Sequence, residues 1–158
     1  MNRLLLIIVV VILADASRGA DFDKGLSAAR NGDFATALRE WMPLAEKGNA
    51  TAQINLGVMY EDGRGVPVDY RRAVKWYKRA AEQGDVRAQV NLGLMLVNGT
   101  GVKKNNVYAY MWWNLAASNG DKDAVSNRDI VAKKMSADDI LLAKKLAREC
   151  FIKKYKGC

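Results

Sequence analysis

A 36-residue internal repeat constrains this chain more than any other feature. Ala52–Asp69 reads AQINLGVMYEDGRGVPVD, and Ala88–Asn105, thirty-six positions on, reads AQVNLGLMLVNGTGVKKN. Nine of the 18 paired positions are identical (Ala, Gln, Asn, Leu, Gly, Met, Gly, Gly and Val), where unrelated segments share about one. Self-similarity at such a period belongs to stacked supersecondary units, each too small to bury its apolar face alone. With 158 residues, half of them apolar and only two Pro, the chain suits one helical domain with a core.

The spacing inside the repeat defines helix pairs. Ala52, Leu56 and Tyr60 fall on one face of a helix ending near Asp62, and Ala88, Leu92 and Leu96 repeat that face. The turns Gly63-Arg64-Gly65-Val66-Pro67 and Gly99-Thr100-Gly101-Val102 follow. Second helices are expected over Tyr70–Gln83 and Asn106–Asn119, carrying Ala73/Ala109, Trp76/Trp112, Tyr77/Trp113 and Ala81/Ala117. Gly48-Asn49, Gly84-Asp85 and Gly120-Asp121 read as hinges, glycine stopping one helix while Asn or Asp caps the next. Gly57 and Gly93 sit mid-helix at about 1 kcal/mol each relative to Ala, which implies that another helix passes too close for a Cβ.

Upstream, Phe22–Asn31 and Asp33–Lys47 read as a helical hairpin, with Pro43 expected to kink its second helix. Downstream, Asp121–Lys134 reads as a helix in which Arg128 stands where the repeat places Leu. Ser136-Ala-Asp-Asp139 reads as a capping box opening a final helix from Ile140 to about Lys154. That helix has Leu142, Leu146, Cys150, Ala143 and Ala147 on one side and cations on the other, as a terminal cap needs.

Met1–Ala20 reads as a cleaved signal segment, with Arg3 preceding the apolar run Leu4–Ala14 and Ala14-Asp15-Ala16 offering cleavage after Ala16. Eleven helical residues rise about 16 Å, short of a hydrocarbon core about 30 Å thick, so no membrane span is expected in the mature chain. No Cys follows the run, which leaves lipoprotein attachment unsupported. Export, to the periplasm or beyond the cell, then colours the two cysteines, Cys150 and Cys158. An isolated even pair in an oxidising compartment points to a disulfide. Eight helical residues would hold their Cα atoms about 12 Å apart, beyond the ~7 Å a bridge tolerates. The last helix must therefore stop near Lys154 or Tyr155, with Gly157 letting the tail return.

The residues Ala52-Gln53-x-Asn55-Leu56-Gly57-x-Met59-Tyr60, Gly63-x-Gly65-Val66-Pro67-x-Asp69-Tyr70 and Ala73-x-x-Trp76-Tyr77-x-x-Ala80-Ala81-x-x-Gly84 closely resemble the Sel1-like repeat family, a relative of the tetratricopeptide repeats. The resemblance covers roughly Asp33–Ala124, and the second unit departs from it at Leu96, Asn105 and Asn106. It implies an all-α superhelical solenoid of antiparallel helix pairs serving as a protein-interaction scaffold, frequently in exported bacterial proteins. The domain reading that follows is a signal segment over 1–20, repeats over 21–124 and a helical cap over 125–158. The tail from Arg128 to Cys150 resembles the C-terminal cap of exported members.

Chemistry is hard to assemble from these residues. The chain contains no histidine, which removes Ser-His and Cys-His triads and most zinc sites. Some cysteine-rich relatives are associated with β-lactam chemistry, but no Ser-x-x-Lys or Lys-Thr-Gly occurs here. Gly63-x-Gly65 and Gly99-x-Gly101 follow helices and lack the rest of a phosphate loop, so they read as turns. Asp138-Asp139 reads as helix capping. No catalytic residue, metal ligand or cofactor is expected.

Two binding readings remain. In related superhelices the first helix of each unit lines the concave groove, which nominates Asn55, Met59 and Asp62, repeated as Asn91, Met95 and Asn98, for a protein or peptide partner. The alternative is that these residues, like Trp76, Tyr110, Trp112 and Trp113, only pack the repeat. The second reading takes the charge of +8 and the basic residues Lys144, Lys145, Arg148, Lys153 and Lys154 as a surface for anionic envelope polymer or membrane. A charge-rich solvated face is its alternative. No nucleic-acid partner is expected. Added salt separates the two readings, because surface-charge binding weakens steeply with ionic strength.

Overall fold

Each helix among the described residues begins where a short polar side chain can take up free backbone N–H groups. The structure, a computed structural model, describes residues 20–158, so the signal-segment reading over Met1–Ala20, all but its last residue, lies outside the described residues. Among the described residues eight helices follow one another: α1 (Phe22–Arg30), α2 (Phe34–Glu46), α3 (Ala50–Asp62), α4 (Tyr70–Ala81), α5 (Val86–Asn98), α6 (Asn106–Ser118), α7 (Lys122–Ala132) and α8 (Ala137–Ile152). There is no strand among the described residues. All eight are N-capped, by Asp21, Asp33, Asn49, Asp69, Asp85, Asn105, Asp121 and Ser136. Such a cap is worth about 1 kcal/mol per helix. The hinges at Gly48, Gly84 and Gly120 adopt the positive φ that permits the sharp stop. Helix α8 starts three residues earlier than expected because Ser136 is itself the cap, its Oγ accepting from the Asp139 N–H at 3.1 Å. Helix α2 runs uninterrupted from Phe34 to Glu46 with Pro43 inside it.

The hairpins α1–α2, α3–α4 and α5–α6 each pack internally, and α2 on α3 and α4 on α5 join them into a stack. Small residues mark the approaches: Ala37, Ala73 and Ala109 stand 36 positions apart on α2, α4 and α6, and all are fully buried. The mid-helix glycines are explained by rings and not by a neighbouring backbone. A Cβ on Gly57 would run into the Tyr77 ring, and one on Gly93 into the Trp113 indole. A third pair, Gly25 under Trp41, occurs in the first hairpin. The indole N–H of Trp41 donates to the Phe22 carbonyl at 3.2 Å, and that of Trp113 to the Val90 carbonyl at 3.1 Å. Each acceptor lies three residues before its glycine, so the bond holds the ring flat on the glycine. Tyr77 uses its hydroxyl instead, donating to Glu61 Oε2 at 2.6 Å.

The stack changes character after α6. Both α7 and α8 pack on α6, whereas α7 and α8 barely touch each other. Stepping the repeat by 36 explains why. Asp129 stands where Gly57 and Gly93 stood, and Glu149 where Tyr77 and Trp113 stood. Without a glycine there is no seat for a ring, and without the ring α8 has nothing to set into α7. Helix α8 lies along α6 and buries Ala143, Ala147 and Cys150. Its end is stapled by the Cys150–Cys158 disulfide, with Cα atoms 5.6 Å apart. The chain returns through left-handed Lys154 and Tyr155 and glycine at 157, and the Tyr155 ring settles over Gly84 at the α4–α5 hinge.

Candidate functional site

Of the residues nominated for a groove, the structure keeps some at the surface and withdraws others. Asn55 and Asn91 are half-buried, and Asp62 and Asn98 are exposed. Met59 and Met95 are only 2% and 3% exposed and belong to the core, which corrects the reading that sets them on an open surface. The reason is geometric. Met59 lies seven residues past Ala52 and Met95 seven past Ala88, two turns of helix, so each points within about 20° of a core alanine. Met59 reaches only a recess of about 140 Å³ that it shares with Asn55, Phe34 and Trp41.

The surface that remains on the first helices is a different set. Val58, Leu94 and Ile130 occupy one repeat position on α3, α5 and α7. Their exposure rises along the stack, from half-buried Val58 to 40% at Leu94 and 53% at Ile130. Asn55, Asn91 and Asn127 accompany them three residues earlier, and α5 and α7 touch directly. Sequence reasoning missed Val58, Leu94, Asn127 and Ile130. The signal was present, because one further step of 36 residues from Asn91 and Leu94 lands on Asn127 and Ile130. Beneath this face, burial and the bond to Glu61 push the Tyr77 phenol well above the ordinary range, so it stays protonated and continues to donate.

The basic residues divide. Lys144, Lys145, Arg148, Lys153 and Lys154 are all exposed. Lys145 reaches Glu149 at 4.0 Å, and Lys153 borders a shallow hollow beside the disulfide. Lys144 and Arg148 turn toward α6. The aromatic residues Trp76, Tyr110, Trp112 and Trp113 are buried, and packing is the role their burial supports. Among the described residues no group of three His, Cys, Asp or Glu side chains is placed to hold a metal ion, and no helix is long and apolar enough to cross a membrane.

Stacked helical hairpins with an open face on the first helix of each pair define a helical-repeat scaffold. The Sel1 repeat family matches residues 50–85 and 86–121, two consecutive units that span α3 to α6. A Sel1 repeat protein from Oxalobacter formigenes is 36% identical with a TM-score of 0.63, covering 68% of this chain and 84% of its own. A protective antigen present in uropathogenic Escherichia coli strains, displaying an SLR fold, is 34% identical with a TM-score of 0.79 over 90% of this chain. This chain spans 31% of that antigen's length. No curated protein sequence matches the chain. The chain belongs to the Sel1 repeat family.

Proposed function

We propose that this protein is an exported, non-catalytic adaptor that holds an extended segment of a protein partner along the exposed face of α3, α5 and α7. The observation that carries the reading is the alternation on that face of apolar side chains (Val58, Leu94, Ile130) with carboxamides (Asn55, Asn91, Asn127) at one 36-residue step. A carboxamide offers both a donor and an acceptor, which suits the main chain of an extended peptide. The apolar positions between them take alternate side chains. Export is supported by the apolar run Leu4–Ala14 and by a disulfide of the kind that persists in oxidising compartments.

The test is affinity capture of an envelope extract on the mature oxidised protein, repeated with Leu94→Asp and Ile130→Asp. Both positions are open, so folding is kept while a charge is set into the contact. A partner retained by the wild type and lost from both variants supports the reading. A partner retained equally by the variants, or released by salt alone, refutes it.

A further inference from the structure

Where α8 lies against α6 the two helices leave a cleft of about 420 Å³. Its floor is apolar, made by buried Leu115 and Ala147. Lys144 and Arg148 form one rim, a turn apart on α8, and Asn114 and Ser118 form the other, a turn apart on α6. Phe151 stands at the edge, 62% exposed. The cleft exists because α8 does not close against α7, so it is a product of the lost glycine–ring pair and not of the repeat itself.

The polar groups around it are arranged with one sign. Among the described residues neither Lys144 nor Arg148 forms an ion pair, and Glu149 on the same helix is turned to Lys145. Arg128 of α7 holds Asp129 at 2.9 Å and donates to Asn114 Oδ1 at 3.4 Å. That contact orients the amide, leaving its Nδ2 as the donor still to be used. The Ser118 hydroxyl proton is committed to the Asn114 and Leu115 carbonyls at 3.0 and 2.8 Å. Two cationic heads and an amide N–H thus face a hollow with an apolar floor and an aromatic edge.

We infer that this cleft binds an acidic peptide segment. The carboxylate sits between Lys144, Arg148 and the Asn114 amide, and an adjoining aromatic or aliphatic side chain lies on Leu115, Ala147 and Phe151. A bilayer surface fits the cleft poorly. Its headgroups would engage Lys145 and Lys154, which stand outside the cleft, as readily as Lys144 and Arg148. The site lies on α6 and α8, away from the first-helix face, and does not depend on the function proposed for it.

The probe is N-acetyl-Asp-Phe-amide, titrated into ¹⁵N-labelled oxidised protein and followed by backbone amide shifts. Saturable shifts confined to residues 114–118 and 144–151 are expected. Affinity should fall about tenfold in Lys144→Gln/Arg148→Gln and about tenfold for N-acetyl-Asn-Phe-amide on the wild type, and stay unchanged in Lys145→Gln/Lys154→Gln. The second comparison uses unaltered protein, so it holds whatever the variants do. Absence of saturable shifts overturns the inference, as does equal weakening in Lys145→Gln/Lys154→Gln. Binding to phosphatidylglycerol vesicles without binding to the peptide overturns it in favour of a membrane surface.

Discussion

Asn119→Gln should stabilise this protein, although Asn119 is exposed. The two repeat units differ in how they satisfy one buried amide. In the first, buried Gln53 donates Nε2 to the Ala45 carbonyl at 2.9 Å, and its Oε1 accepts from Gln83 Nε2 at 2.8 Å. In the second, fully buried Gln89 donates to the Ala81 carbonyl at 3.4 Å, but its Oε1 has no partner. Asn119 replaces Gln83 at the repeat-equivalent position. One methylene shorter, it reaches only the Leu115 carbonyl, at 3.0 Å. Gln83 makes the corresponding contact to Arg79 at 3.3 Å and the bond to Gln53 as well. A buried acceptor without a donor costs about 1–3 kcal/mol, and ordering the longer side chain returns about 0.5. The expected net gain is about 1 kcal/mol. In urea denaturation that moves the midpoint up by about 0.5 M with m unchanged. The control is Gln89→Leu, in which the acceptor is gone and the gain from Asn119→Gln should vanish. A gain that persists there, or no gain in the wild type, refutes the pairing argument. Gln83→Asn should produce the converse loss.

Three further outcomes are expected. Gly93→Ala should destabilise by about 2 kcal/mol net of the helix-propensity gain, because the added Cβ meets an indole pinned by its bond to Val90; in a Trp113→Leu background, thermal melts should show the same substitution as neutral or stabilising. Replacing both Cys150 and Cys158 by Ser opens a short loop and should cost about 2 kcal/mol, read as a lower urea midpoint, with reduction having no effect on the variant. The Glu40 carboxyl is held below its ordinary 4.5, first by the bond from Lys24 and then by the Asp21 N–H. A lowered folded-state value means that this stabilisation is present above pH 4.5 and lost as pH falls through the folded value. Glu40→Gln should flatten the acid limb of the stability profile, and an unchanged slope would remove Glu40 as its source.

Much of the face proposed for the partner is legible in the repeat. The Asn55/Asn91 pair came directly from the repeat. Assigning Met59 and Met95 to the face opposite the Ala52/Leu56/Tyr60 stripe fails, because a seven-residue step from Ala52 and Ala88 places them over the core. Extending the same lag to α7 adds Asn127 and Ile130. The α6–α8 cleft was not legible. Lys144 and Arg148 stood out as two cations among five, and nothing in their spacing separated them from Lys145, Lys153 and Lys154. Nor could the spacing tell that a ring, and not a backbone, fills the space over Gly57 and Gly93.

What the sequence by itself determined is the local grammar: where helices start and stop, which faces are apolar, and that consecutive hairpins stack. Those are short-range properties, set by caps, turns and periodicity within a few residues. What only the tertiary structure decided is where the last helix goes. Whether α8 closes on α7 or lies along α6 depends on contacts between residues far apart in the chain, and Asp129 and Glu149 state merely that the usual seat is missing. Its resting place on α6 is chosen by which buried surface is left to cover, and that choice creates the cleft.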